Sequence, residues 1–456
     1  MFSKFTKRLV APPPPAAPIE VFRDDITQEY HGIRHADLSP GSLRVIETLQ
    51  NAGFQAYLVG GGIRDLLLDK HPKDFDVATN ATPAQIEALF KRARAVGRRF
   101  QIVHVRMGPE IVEVTTFRGR SEDSHHQQTN AQGMLVRDNV FGTVEDDAVR
   151  RDFTMNALYY DPKTHHVIDF VGGYDDLEDH IIRIIGDPAT RYREDPVRML
   201  RAARFVGKLK LNLDPATAAP IRQLAGLLRD VSASRLFDEV LKLLQAGYGR
   251  ATYHCLREYG LFAQLFPETE TLLSRGDDPH YARLIDIALT NTDARLNAGK
   301  SVTPAFLYAA IYWPSVHQRW QEREAEGNPR AQALAIAGSE TIDRNQAYVA
   351  IPKRFTQGIR EIWELQAKLE RRDGRRPDST LSHPRFRAGY DFLLLREESG
   401  ELPPGLGTWW TAYQVADDAK RRALIAEVRE HPPEHTEDAA SKPRRRRRPN
   451  ARPRED

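Results

Sequence analysis

Two aspartates stand one residue apart in Lys73-Asp74-Phe75-Asp76-Val77, a few residues after the run Gly60-Gly61-Gly62. Like charges at that spacing repel, so the pairing needs something of opposite sign. In an extended strand, residues two apart face the same way. Asp74 and Asp76 are therefore expected on one side, with Phe75 and Val77 in the core. A divalent cation that prefers hard oxygen ligands, Mg²⁺ above all, removes the repulsion and bridges carboxylates to substrate phosphates. Two such ions need a further ligand. Glu113, an acid between Val112 and Val114 in an alternating stretch, is the candidate. Taken singly, D-x-D is most often a solvated turn or edge, and Glu113 a strand residue facing water. The combination is more specific. Glycines at a strand-to-helix turn let backbone N–H groups approach a phosphate, and the helix dipole favours its charge. Arg64 adds a cation beside them. A plain tight turn is the simpler reading of the glycines.

These residues must be held by a mixed set of elements. Leu43, Val45, Ile46 and Leu49 predict an amphipathic helix over 42–52. "AYLV" (56–59) predicts a strand that ends in the glycines, and "IRDLLL" (63–68) a helix. "DFDVAT" (74–79) predicts a second strand. Thr82-Pro83 opens a further helix. "QIVHVRM" (101–107) and "EIVEVTTF" (110–117) alternate around Gly108-Pro109, a hairpin signal. After about residue 187 the strand signals fade and helical spacing continues to about residue 431. The expected architecture is α+β: a flexible segment over 1–40, a mixed-sheet head over 41–186, and helices over 187–250 and 251–431.

Bulk properties narrow the class. A chain of 456 residues, 41% hydrophobic and 28% charged, is long enough for two or more domains. No apolar run approaches a membrane span. The single cysteine, Cys255, excludes an internal disulfide framework and suits a reducing, cytoplasmic setting. The formal net charge of +3 conceals a basic end, since Arg444, Arg445, Arg446, Arg447 and Arg448 are consecutive. Such a block predicts a disordered tail over 432–456. Arginine pairs with phosphate and releases counterions, so the tail reads as a clamp for RNA or DNA, with mere solubilisation as the simpler role. His125-His126 and His165-His166 lack metal-ligand spacing and are read as ordinary residues.

The stretch "LVGGGIRDLLLDKHPKDFDVAT" (58–79) resembles the signature of class II nucleotidyltransferases, the group of tRNA CCA-adding enzymes and bacterial poly(A) polymerases. "RRDFTMNAL" (150–158), "DFVGGYDDL" (169–177) and "REDPVRMLRAARF" (193–205) resemble its next motifs, in order. The resemblance implies a polymerase-beta-like nucleotidyltransferase head, a helical neck carrying base recognition, and a helical RNA-binding body. It implies two-metal nucleotidyl transfer to an RNA 3′ end, with Asp74 and Asp76 on both Mg²⁺ ions and Glu113 on the attacking one. Gly60, Gly61 and Arg64 face the nucleotide phosphates. Asp152 reads the ribose hydroxyls, and Arg150 and Arg151 contact triphosphate or base. Surface ion pairing with Glu145, Asp146 and Asp147 competes with that role for the two arginines. Asp195 and Arg198, three apart on one helix face, serve as a protein template for the incoming base, and Arg201 and Arg204 reach the triphosphate or primer.

Within the group, "VGRRFQIVHVRMGPEIVEVTTFRG" (96–119), with its Arg98-Arg99-Phe100 core, resembles the poly(A) branch. So do stretches 233–249, 350–366 and 383–396. Ala95 departs from the larger aliphatic residue expected there. The resemblance thus implies ATP as substrate and AMP addition to the 3′ ends of mRNA, small RNA and tRNA precursors, in concert with RNA-degradation machinery. The segment 117–145 is expected to form a loop over the site. A tRNA CCA-adding activity, or an RNA-binding protein on an inactive head, are the alternatives; intact Asp74, Asp76 and Glu113 weigh against the latter.

Overall fold

The computed structural model describes residues 20–97, 101–119, 141–276 and 278–430, and the backbone of 127–129 and 135–138. Arg98-Arg99-Phe100, His125-His126 and Arg444–Arg448 lie outside the described residues. The chain divides into two compact units, residues 1–315 with 340–356, and residues 316–339 with 357–456.

The first unit is built on an eight-stranded sheet. Its strands are β1 (Asp24–Ile26), β2 (Ala56–Val59), β3 (Asp76–Thr79), β4 (Ala93–Val96), β5 (Ile102–Met107), β6 (Glu110–Thr116), β9 (Leu158–Asp161) and β10 (His166–Asp169). Two further pairs, β7 (Gln127–Thr129) with β8 (Leu135–Asp138) and β11 (Ile181–Ile182) with β12 (Asn212–Leu213), stand apart from it. The strand order is β1-β10-β9-β2-β3-β6-β5-β4, and every neighbouring pair is antiparallel except β3 with β6. Strand β1 arises within the segment expected to be flexible: it extends the sheet beside β10, and such long-range pairing leaves no local signal. Helices α1 (Gln28–His31), α2 (Pro40–Asn51), α3 (Gly61–Leu67), α4 (Pro83–Leu89), α5 (Val144–Arg150), α6 (Gly173–Glu178), α7 (Pro188–Glu194) and α8 (Val197–Leu209) follow in chain order.

Local chemistry explains the elements near the candidate carboxylates. Helix α2 begins at Ser39, whose hydroxyl accepts from the Ser42 N–H, with Pro40 at the first turn. Helix α4 starts in a reciprocal cap: Thr82 accepts from Gln85 N–H, and the Gln85 side chain accepts from Thr82 N–H. The β5–β6 hairpin turns through Gly108 and Pro109, and the +65° φ of Gly108 is a conformation that favours glycine. One sheet face buries Val77, Val103, Val105, Val112 and Val114 on the side of α2 and α4. The other packs Tyr57, Val59, Ala78, Tyr159 and Ile168 with Val144 and Ala148 of α5. The expected loop over 117–145 contains the β7–β8 pair and ends in the first two residues of α5, Val144 and Glu145.

Beyond α8 the first unit is helical, apart from the short strand β12. Phe237 stacks on Tyr308 and on Phe355, the latter within the returning segment 340–356. The second unit packs Leu365, Leu369, Phe386, Tyr390, Leu393, Trp409, Trp410 and Tyr413 into one core. Trp410 Nε1 donates to the Leu369 carbonyl at 2.8 Å. Arg396, 1% exposed, donates to the equally enclosed Glu401 carboxylate at 2.8 Å. A buried ion pair contributes little beyond a well-packed apolar pair, but loss of one partner strands the other. Arg396→Ala is therefore expected to destabilise the second unit by about 3 kcal/mol, and Arg396→Met combined with Glu401→Leu to recover much of that loss. Urea denaturation monitored by tryptophan fluorescence checks both.

Candidate active site

Strand β2 runs into Gly60, which caps α3 with φ +77° and ψ −135°, a conformation that only glycine adopts without strain. A side chain there would approach Arg151 Nη1 at 3.5 Å. Gly62 is constrained differently: a Cβ would lie 2.9 Å from the Phe75 ring and 3.2 Å from the Asp74 carbonyl oxygen. The absence of that Cβ allows the segment carrying the aspartates to lie against α3. Phe75 is buried, and its carbonyl accepts from the Ser42 hydroxyl. Strand β3 begins at Asp76, so Asp74 precedes the strand in which the sequence placed it.

The register fixes which carboxylates are neighbours. Val77 pairs with Val114 on the parallel strand β6, so Asp76 and Glu113, each one residue earlier, share the opposite face. Asp76 remains open to solvent although much protein surrounds it, the situation of a group in an open cleft. That crowding, then the charges of Glu113 and Asp74, pushes its carboxyl up to about 6, and Arg151 opposes the rise. Glu113 is directed toward its partner on β5: His104 Nε2 lies 3.6 Å from its Oε1. Among the described residues, no three His, Cys, Asp or Glu side chains are gathered closely enough to enclose a metal. Glu113 and Asp74 thus act on Asp76 electrostatically, without the three forming a closed cage.

The arginines expected around a nucleotide are heavily engaged with the protein. Arg64 is 3% exposed; it holds Asp65 at 2.5 Å and Asn156 Oδ1 at 2.6 Å, and lies over the Phe205 ring. Arg151 donates to Asp147 at 2.8 and 3.0 Å and to the Tyr159 hydroxyl at 3.0 Å. Burial disfavours its charge, but Asp147 more than compensates and holds its pKa above the ordinary value. The competing ion pair is therefore present for Arg151, yet with a buried aspartate. Arg150 donates to the Gly119 carbonyl, and burial together with Arg118 pushes it down to about 10. Asp152 accepts from Phe153 N–H and Asn156, and pairs with Arg201 at 2.5 Å. Burial opposes its charge, but Arg201 and these donors hold it below the usual carboxylate range.

Asp195 and Arg198 do not pair through their side chains, although the Arg198 N–H donates to the Asp195 carbonyl at 3.0 Å. Asp195 ends α7 and accepts from Arg235 at 2.9 Å, on the helix Ala233–Leu244. Arg198 donates to Glu194 at 2.8 Å and to the Arg191 carbonyl at 2.7 Å. Arg204 reaches the Tyr248 hydroxyl at 3.1 Å. Sequence reasoning missed the residues that hold these groups. Asn156 links Arg64 to Asp152. Arg191 ties Glu194 to the carbonyls of Arg150 and Arg151. Asn156 stands four residues after Asp152 in "RRDFTMNA", a signal within reach of inspection; Arg191 and Arg235 carried none.

Because folding raises the Asp76 pKa, the folded chain holds this proton more tightly than the unfolded chain does. The contribution is fully favourable below about pH 4 and is lost as pH rises to about 6. Asp76→Asn is expected to be more stable than the parent above pH 6, by on the order of 1 kcal/mol because solvent screens the charges. The difference should vanish near pH 3. Chemical denaturation across this range checks it.

The chain matches three family models in order: the Poly A polymerase head domain over 56–183, the probable RNA and SrmB-binding site of polymerase A over 210–273, and the polymerase A arginine-rich C-terminus over 326–452. It is 48% identical over 415 residues to poly(A) polymerase I of Escherichia coli O6:H1, covering 89% of each chain. Poly(A) polymerase I of Haemophilus influenzae gives 48% over 403 residues, covering 87% of this chain and 89% of that one. A CCA-adding enzyme of Lactobacillus helveticus is 40% identical over 202 residues, only 44% of this chain and 49% of its own length. Among solved structures, the Bacillus stearothermophilus CCA-adding enzyme in complex with CTP superposes with a TM-score of 0.56 at 27% identity, covering 86% of this chain and 84% of the other. With similarity sustained along nearly the whole of both sequences, the chain belongs to the poly(A) polymerase family of nucleotidyltransferases.

Proposed function

We propose that this chain transfers AMP from ATP to RNA 3′ ends without a nucleic-acid template, with pyrophosphate as the leaving group. The observation that carries the choice of adenylation over CCA addition is the extent of similarity. It spans 89% of the chain with poly(A) polymerase I but less than half with the CCA-adding enzyme of L. helveticus. The substrates envisaged are the 3′ ends of mRNA, small RNA and tRNA precursors in the cytoplasm, alongside RNA-degradation machinery.

The carboxylates suit a divalent cation on an observation of their own: Asp76 resists ionisation beside Glu113 and Asp74, and bound positive charge would remove that resistance. Asp74, Asp76 and Glu113 would hold Mg²⁺, which would activate the primer 3′-hydroxyl and neutralise the departing pyrophosphate. The protein's own contribution is alignment and charge. Gly60 and Gly61 leave room for the triphosphate at the start of α3. Buried Arg64 adds positive potential beneath that turn and stiffens it through Asp65 and Asn156. Arg150 and Arg151 contribute charge from the end of α5. Asp152, held by Arg201 and Asn156, accepts from ribose hydroxyls and favours ribonucleotides. Asp195 and Arg198 meet the edge of adenine as acceptor and donor. Arg204 lies on the same helix as Arg201 and supports the primer or triphosphate.

Residues 41–186 then act as the catalytic head, 187–250 as the base-reading neck and 251–431 as the RNA-binding body. Arg444–Arg448 hold the RNA backbone without sequence preference.

Incubation with Mg²⁺, an oligo(A) primer and each NTP singly should give homopolymeric extension with ATP alone. C incorporation into a trimmed tRNA would instead indicate CCA repair, and RNA retention without incorporation a binding protein. Asp74→Ala should reduce turnover by about a thousandfold or more while RNA binding persists; undiminished turnover would remove Asp74 from the site. Removal of residues 443–456 should weaken RNA binding and lower its logarithmic salt slope by about 3, with turnover at saturating primer retained. Filter binding at graded salt measures this.

A further inference from the structure

With Glu113 as ligand on the attacking side of the reaction, the order of the strands separates nucleotide from primer. Gly60 and α3 lie toward β2, on one side of Asp76 in the sheet, whereas Glu113 leads away from it to β5 and β4. A nucleotide on the glycine side leaves the primer to come from the other. That side carries a row set by register: Arg94 pairs with His104, and His104 with Glu113. One step along the same face, Arg106 pairs with Ile111.

This face differs from its reverse in a way that a merely structural sheet does not require. Val103, Val105, Val112 and Val114 on the reverse are buried. Here Arg94 and Arg106 are exposed, and Ile111, beside Arg106, is 52% exposed. The side chains of Arg94 and Arg106 have no hydrogen-bond or ion-pair partner among the described residues. Many other exposed arginines are paired: Arg23 with Asp25, Arg34 with Asp37, Arg250 with Asp286 and Arg387 with Asp391. Free cations on β4 and β5, with an exposed aliphatic side chain next to one of them on β6 and two carboxylates beyond, match the phosphates and bases of a single strand.

We propose that the open face of β4, β5 and β6, through Arg94, His104, Arg106 and Ile111, is the track that seats the last nucleotides of the RNA primer and delivers its 3′ end to Glu113. Arg94 and Arg106 bind backbone phosphates, His104 lies between Arg94 and Glu113, and Ile111 beside Arg106 supports a base. The track rests on the catalytic reading of Asp74, Asp76 and Glu113, and its test separates the two.

With oligo(A) as the varied substrate and ATP saturating, Arg94→Ala combined with Arg106→Ala should raise primer KM by about tenfold or more and reduce the logarithmic salt slope of binding by about 1.4. The KM for ATP should be unchanged. Primer KM and salt slope both at the parent values would overturn the track. Independently, the Ile111→Cys thiolate should displace the pyridylthiol group from an oligo(A) primer carrying a tethered pyridyl disulfide one to three nucleotides from its 3′ end, joining protein to primer by a disulfide with release of thiopyridone, and unmodified oligo(A) should compete. Native Cys255 is buried, and Val415→Cys, on an exposed residue of the second unit, gives the background. Cross-linking at Ile111→Cys no greater than at Val415→Cys would also overturn the track. If Asp74→Ala keeps full turnover, the catalytic reading fails, whatever the cross-link shows. If Asp74→Ala is inactive but cross-linking and primer KM stay at background and parent values, only the track fails.

Discussion

The parallel pairing of β3 with β6 is the constraint on which the head depends. It is the one parallel contact in a sheet otherwise antiparallel, and it sets Asp76 beside Glu113. A shift of one residue would turn either acid to the opposite face, where valines are buried under α2 and α4. The apolar side therefore enforces the position of the polar side. Its consequence is electrostatic: a carboxyl that ionises reluctantly stands beside Glu113 and near Asp74, a state that a stable fold does not need.

Around this centre, charge is arranged in connected braces. Arg64, Asn156, Asp152 and Arg201 form a chain from α3 through the turn after α5 to α8. Arg191, Glu194 and Arg198 form another from the end of α5 to the start of α8. In each, arginine donates from several nitrogens at once, a geometry that lysine lacks. The braces fix the relative placement of segments far apart in sequence. Residues proposed to touch nucleotide are consequently also residues that hold the fold, so their substitution affects both properties.

Much of the head was legible in the sequence because its signals are local. Alternation predicted β5 and β6, Gly108-Pro109 their turn, and Thr82-Pro83 the start of α4. The stripe Leu43, Val45, Ile46 and Leu49 predicted the buried side of α2, with Leu43 half-buried at its margin. Strands β1, β4, β9 and β10 were not anticipated, since their pairing joins residues as distant as Asp24 and Asp169. The same limit applied to the site. Acids at 74, 76 and 113 were visible as chemistry, but the register that makes Asp76 and Glu113 neighbours was not. Arg235 against Asp195, forty residues apart, had no local trace.

The chain's route between its two units bears on how the protein could be shortened in evolution. It departs after residue 315, returns for 340–356 and departs again. That returning stretch provides Phe355 against Phe237, and Asn345 against Glu268. A stop codon early enough to discard the whole second body, at residue 316, would also strip these supports from the first. A stop after residue 356 keeps them and removes the arginine-bearing end, but leaves 316–339 without the rest of its unit; shedding that unit whole requires excision of 316–339 as well.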